Sequence, residues 1–153
     1  MENNIRYVHT NIIAQNWKKL AQFYIDVFHC KPIYPERNLS GNWIDRITKI
    51  NNVAIRGIDL TLPGYDNNGP TLEIFEYSPD NITDGKPVIN RQGLGHLAFS
   101  VDLVEITLKR IIEHGGEQLG ELVSRDYGEL GTLTVVYACD PEGNIIEIQN
   151  WQR

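Results

Sequence analysis

Cysteine is scarce in this chain. Among 153 residues only Cys30 and Cys139 are cysteines, far apart and outside any C-x-x-C spacing. That excludes a disulfide scaffold and a structural zinc knuckle, and it suits two reduced thiols packed beside apolar runs. Basic residues are in the minority, 14 Lys and Arg against 20 Asp and Glu for a net charge of −6, and they form no cluster. The electrostatic footprint of phosphate-backbone binding is therefore missing, and nucleic acid is not an expected partner. No stretch of about 18 apolar residues is present to span a membrane, and Met1-Glu2-Asn3-Asn4 lacks the basic and apolar regions of a signal peptide. A cytoplasmic protein is the expectation, long enough to bury a core and too short for a multidomain enzyme.

What is present is an internal repeat. A first strand-like run, Arg6 to Ile13, is followed by Gln15 to Phe28, where Trp17, Leu20, Ala21, Tyr24 and Phe28 have the spacing of an amphipathic helix with Asn16 as N-cap. Short β-type runs follow at Lys31 to Tyr34, Val53 to Leu62 and Thr71 to Tyr77. The second half answers with Gly95 to Val101, a helix over Asp102 to Gly116, and runs at Glu117 to Val123, Thr132 to Cys139 and Asn144 to Gln149. Asp102 is the expected cap of that helix and Gly115 or Gly116 its end. Each half reads β-α-β-β-β, and self-similarity on this scale implies two copies of one unit.

The repeat carries chemistry. His9 and Glu73 in the first half recur as His96 and Glu147 in the second, each inside a strand. Side chains alternate along a strand. Leu72 and Ile74 therefore oppose Glu73, Leu97 and Phe99 oppose His96, and Ile146 and Ile148 oppose Glu147. All four residues face away from the purely apolar side. His9 shares its face with Tyr7, Asn11 and Ile13. A lone His or Glu on a strand is more often a surface or satisfied core residue than a ligand. Four such residues in repeat-related positions favour a metal site, because buried ionisable groups without partners are costly. His29 and His114 fall at helix ends, outside the pattern.

The copies are unequal, since the interval from His9 to His96 exceeds that from Glu73 to Glu147. An insertion at roughly Pro35 to Asn52 accounts for this. It holds Glu36, Arg37, Trp43, Asp45 and Arg46, includes a short helical segment at Trp43 to Ile50, and is either a substrate-contacting element or a loop packed on the sheet edge. Asp66-Asn67-Asn68-Gly69 and Asp140-Pro141-Glu142-Gly143 are turns.

The segments Val8-His9-Thr10-Asn11, Phe23 to Phe28, Thr71 to Ile74, Gly95 to Asp102 and Asp140 to Glu147 together resemble the vicinal oxygen chelate superfamily, the glyoxalase/bleomycin resistance/dioxygenase group. The likeness is nearest to glyoxalase I-like and methylmalonyl-CoA epimerase-like lyases and isomerases. It implies an α+β fold in which two tandem βαβββ modules, about 5–78 and about 93–150 with a linker at about 79–92 in one domain over 1–153, form curved mixed sheets enclosing a metal-binding cleft. It also implies one divalent ion per site (Ni, Co, Zn or Mn) on His9, Glu73, His96 and Glu147, a small-molecule substrate and a homodimer.

By the same resemblance the expected activity is proton abstraction next to a carbonyl through a metal-bound enediolate, with Glu147 as base and Glu73 on the opposite face. A non-haem iron dioxygenase-like enzyme, for which His9, His96 and Glu147 suffice, and a metal-free binding or resistance protein are the alternatives. Glyoxalase I has an arginine four positions after the first metal His and an asparagine four after the first metal Glu, both of which help to hold glutathione. Ile13 and Tyr77 stand there instead, so a glutathione adduct is not implied. Methylmalonyl-CoA epimerase usually has Gln at the place of Glu73.

Overall fold

The computed structural model describes residues 3–83 and 85–153. Met1 and Glu2 of the N-terminal run, and Asp84 of the expected linker, lie outside the described residues. The chain divides into two compact units, Met1–Thr83 and Asp84–Arg153. The first unit runs β1 (His9–Ile13), α1 (Trp17–Phe28), β2 (Pro32–Ser40), α2 (Asn42–Thr48), β3 (Ala54–Thr61) and β4 (Thr71–Ser78). Its sheet has the order β1-β4-β3-β2, with β1 parallel to β4 and the other pairs antiparallel.

The second unit runs β5 (Leu97–Ser100), α3 (Val104–Glu113), β6 (Glu117–Gln118), β7 (Val123–Asp126), a 3-10 turn at Gly128–Leu130, β8 (Thr132–Cys139) and β9 (Ile145–Gln152). Its order is β5-β9-β8-β6, with β7 also on β8, and β5 is parallel to β9. The expected α+β class with two mixed sheets holds, while the expected βαβββ order is modified in each half: α2 stands between the second and third strands of the first unit, and the run expected at Glu117 to Val123 in the second is divided between two short strands, β6 and β7. No helix among the described residues is long and apolar enough to cross a membrane.

The parallel pairs arise because a helix carries the chain from the first strand back over one face of the sheet. In α1 that face is Trp17, Leu20, Ala21, Phe23, Tyr24, Val27 and Phe28, all buried. The helix packs on β3 and β4, whose Leu60, Leu72 and Ile74 are fully buried. Asn16 caps α1 as expected, its side chain accepting from the Lys19 N–H at 3.1 Å. His29 closes α1 in the left-handed conformation, with its N–H on the Ile25 carbonyl. In the second unit α3 packs on β8 and β9, and Ile111 of the helix and Val136, Ile146 and Ile148 of the strands are all buried.

Three local expectations need correction. Leu103, not Asp102, is the N-cap of α3, and no side chain caps that end. The strand expected at Lys31 to Tyr34 continues to Ser40. Pro35 offers no N–H to a ladder, but it lies where the β2–β3 register shifts between Ile33 and Arg37, so the strand absorbs it as a bulge. The insertion is therefore half strand and half helix. Ile44 of α2 is buried with Val53, Ile55 and Phe75, flanked by Leu39, Ile50 and Tyr77, while Trp43 is exposed. Asp45 fastens the end of the insertion by accepting from the Asn52 and Val53 N–H groups at 2.9 and 3.0 Å.

Candidate metal centre

Register places the candidate ligands. In the first unit Asn11 pairs with Glu73 and His9 with Thr71, so His9, Asn11 and Glu73 share one face of the sheet. His9 Nε2 lies 3.0 Å from Glu73 Oε1. In the second unit Ala98 pairs with Glu147, the place Asn11 holds in the first, and His96 again precedes it by two residues. His96 Nε2 lies 3.1 Å from Glu147 Oε2. Leu72, Ile74, Ile146 and Ile148 on the opposite faces are fully buried, as strand alternation requires. Each unit thus builds the same kind of His–Glu pair at its first and last strands, although His96 sits one residue before β5 and not inside it as expected, the carboxylate mostly buried and the imidazole more open.

The turn before β9 fixes the approach of Glu147. Asp140, itself buried, accepts from the Glu142 and Asn144 N–H groups at 2.9 and 3.0 Å through Oδ1 and from the Asn144 side chain at 2.9 Å through Oδ2. Gly143 closes this turn at φ +89°, a conformation that favours glycine. In the first unit Gly57 serves packing: a Cβ there would fall 2.1 Å from the Ile74 carbonyl oxygen and 2.7 Å from Phe75 Cδ1. Its absence lets the Phe75 ring lie across β3 beside the His–Glu face.

The surroundings of the two pairs differ. Asp59 stands directly across from Glu73 on β3, and its Oδ2 takes the Arg37 guanidinium at 2.6 Å. Asn11 Nδ2 donates to Glu73 Oε1 at 3.3 Å. Burial pushes the Glu73 carboxyl above the usual carboxylate range; His9 draws it down, Asp59 adds to the rise, and Asn11 and Arg37 draw it down. In the second unit Tyr137 stands across from Glu147, and its ring meets His96 edge-on at 5.1 Å. Burial raises the Tyr137 phenol, and the Glu147 charge and hydrogen bond raise it further.

Asp59 and Tyr137 were not among the residues singled out from the sequence. Strand parity marks them once the pairing of β3 with β4 and of β8 with β9 is known. Arg37 was placed in the insertion and belongs to β2. His29 and His114 are the C-caps of α1 and α3, outside both pairs. Ile13 and Tyr77 line an open, mainly apolar cleft of about 490 Å³ with Ile50, Pro79, Asp80 and Asn81.

The donor set suits a divalent ion. Each pair offers an imidazole nitrogen and a carboxylate oxygen, donor types that divalent ions take, and the two atoms are here engaged with each other as a direct ion pair. Among the described residues no three or more His, Cys, Asp or Glu side chains gather into a group that could hold an ion. Each unit taken by itself carries a pair.

A two-module α+β protein with a repeated His–Glu frame is the class that fold and geometry define. The chain belongs to the Glyoxalase/Bleomycin resistance protein/Dioxygenase superfamily, whose family model matches residues 6–148. Among solved structures it is similar to a glyoxalase family protein from Bacillus cereus, at 19% identity, TM-score 0.84, and coverage of 99% of this chain and 97% of that one. A glyoxalase/bleomycin resistance protein/dioxygenase family enzyme from Burkholderia phytofirmans shares the fold at 17% identity, TM-score 0.59 and coverage of 94% and 97%. So does the fosfomycin resistance protein FosX from Listeria monocytogenes, complexed with Mn(II) and sulfate, at 15% identity, TM-score 0.52 and coverage of 99% and 95%. Comparison with curated proteins gave no match.

Proposed function

We propose that this chain is a metal-dependent lyase or isomerase of the glyoxalase-like type, which moves a proton at a carbon next to a carbonyl. The observation that carries this is the repeated pair, with donor atoms 3.0 Å apart in one module and 3.1 Å in the other. His9, Glu73, His96 and Glu147 are the proposed ligands of one divalent ion (Ni, Co, Zn or Mn). Mn(II) in FosX, a protein of the same fold, supports a divalent ion of this kind. Such an ion supplies Lewis acidity to a carbonyl and a neighbouring oxygen.

The protein's own groups do the rest. Glu147 takes the proton from the carbon and delivers it to the adjacent atom, and Glu73 can serve the opposite face of the substrate. Tyr137 and His96 hold the Glu147 carboxylate from two sides, and Asn11 and His9 hold Glu73. The mostly buried position of both carboxylates limits competition from water. The working form we propose is a cytoplasmic homodimer acting on a small molecule.

The test has two readouts. Metal content is measured on protein purified without chelator, and solvent-deuterium exchange is screened over hydroxy-carbonyl and acyl-thioester compounds with Ni²⁺, Co²⁺, Zn²⁺ or Mn²⁺ added. Exchange next to the carbonyl that disappears in Glu147→Gln, with metal still bound, is the expected result. An active Glu147→Gln enzyme sinks the assignment of the base. Protein that binds no metal yet retains a small molecule favours a metal-free binding role, and Fe²⁺-dependent oxygen consumption favours a dioxygenase.

A further inference from the structure

The two modules act as internal controls for each other. What repeats between them, the His–Glu pair, is common to both half-sites; what differs serves something only one half needs. The clearest difference lies on the strand next to the glutamate. Asp59 opposes Glu73, and Gly57, two residues earlier on β3, opposes Arg37. Tyr137 opposes Glu147, and Val135, two residues earlier on β8, opposes Val123. The first module therefore has Arg37 and Asp59 where the second has Val123 and Tyr137.

Stability does not require the charged version. Like charges directly across a strand pair, as with Asp59 and Glu73, are unfavourable, and Asp59 is only 8% exposed. Its Oδ1 is buried without a hydrogen-bond partner, a cost the second module avoids with an aromatic and an aliphatic side chain. What the arrangement achieves is to hold a guanidinium still beside the His9–Glu73 pair. The bond to Asp59 Oδ2 at 2.6 Å employs one of the five N–H donors of an arginine, and 45% of the Arg37 side chain remains exposed. A planar fork fixed at one end with free donors at the other suits a carboxylate.

We propose that Arg37, positioned by Asp59, is the specificity residue that binds a carboxylate of the substrate. The substrate class is then a carboxylic acid with an oxygen function on the neighbouring carbon, a 2-oxo or 2-hydroxy acid. This rests on the proposed function only in placing the reacting carbonyl at the His9–Glu73 end.

The test is binding, read on metal-free protein by ligand-observed NMR with pyruvate as probe, methyl pyruvate as its uncharged counterpart and methylphosphonate as a tetrahedral anion. Wild type is expected to bind pyruvate in preference to both. The double variant Arg37→Val/Asp59→Tyr, which installs the residue types of the second module, is expected to lose pyruvate binding at least tenfold while its metal titration matches wild type. Arg37→Lys, which keeps the ion pair with Asp59 and loses the fork, is expected to fall between them, and it decides the matter should the double variant not fold. Equal pyruvate affinity in wild type and variants, methyl pyruvate or methylphosphonate binding as tightly as pyruvate, or no pyruvate binding to wild type overturns the proposal. Failure of the metal titration in wild type overturns the metal-centre reading and leaves the Arg37 result standing.

Discussion

Tyr137 faces Glu147 directly across the β8–β9 pair, and its phenol hydrogen-bonds the carboxylate while its ring meets the His96 imidazole edge-on at 5.1 Å. One side chain thus orients both members of the second pair. Removing the hydroxyl in Tyr137→Phe keeps the ring contact and frees the carboxylate. Groups that orient metal ligands in this way are typically worth about 10- to 100-fold in metal affinity. Competition with a chromophoric chelator is expected to show a loss of about tenfold or more for Tyr137→Phe, with an unchanged melting curve in the absence of metal. Unchanged affinity would reduce Tyr137 to a packing residue.

The faces opposite the pairs are where the stability of each sheet resides. Ile146 is fully buried, and Ile13, on the His9 face, is 53% exposed. Ile146→Ala removes buried methyl and methylene groups and leaves a cavity, at about 2–5 kcal/mol. Ile13→Ala is expected to stay within about 0.5 kcal/mol. Urea denaturation of both variants checks the contrast. A large loss for Ile13→Ala would mean that this face is covered in solution.

The His–Glu frame was legible because strand alternation is a strict period of two and the apolar residues that oppose each ligand are unambiguous. Its surroundings were less so. β8 and β9 are joined by the tight turn at Asp140–Gly143, and their register follows from it, so Tyr137 was within reach of sequence reasoning. β3 and β4 are joined by residues 62–70, a connection too long to fix a register, and Asp59 could not be set opposite Glu73. Arg37 was misplaced because Pro35 reads as the end of a strand, whereas here it sits in a bulge.

Helix capping separates legible from illegible ends in the same way. Asn16 and Asp102 are both good capping residues immediately before an apolar period, yet only Asn16 makes the bond, to the Lys19 N–H. α3 begins one residue later than expected, with Leu103 at the cap, so the Asp102 side chain is out of position. Asn16→Ala is expected to cost about 1 kcal/mol, and Asp102→Ala no more than about 0.5 kcal/mol. Thermal or urea melts of the two variants read the difference, and equal losses would contradict the cap assignment.

Cys30 gives the fold a pH dependence of definite sign. Burial pushes its thiol from 9.0 up to about 12, only partly opposed by a backbone hydrogen bond. The unfolded chain loses this proton near pH 9 and the folded chain does not, so the unfolded state is the one that gains from ionisation. The contribution of Cys30 is therefore fully present below pH 9 and lost as pH rises from 9.0 to about 12. Within that window the stability should fall by about 1.4 kcal/mol per pH unit. Other groups titrate there too, so the measurement is a difference: the urea midpoints of wild type and Cys30→Ala should converge from pH 8 to pH 11. Alkylation supplies the second check. Cys139 is only partly buried and should react with iodoacetamide in the folded protein, slowed by its own raised thiol, while Cys30 should react only on unfolding. Rapid labelling of both thiols at neutral pH would show that the region around Cys30 opens readily, and the slope should then vanish.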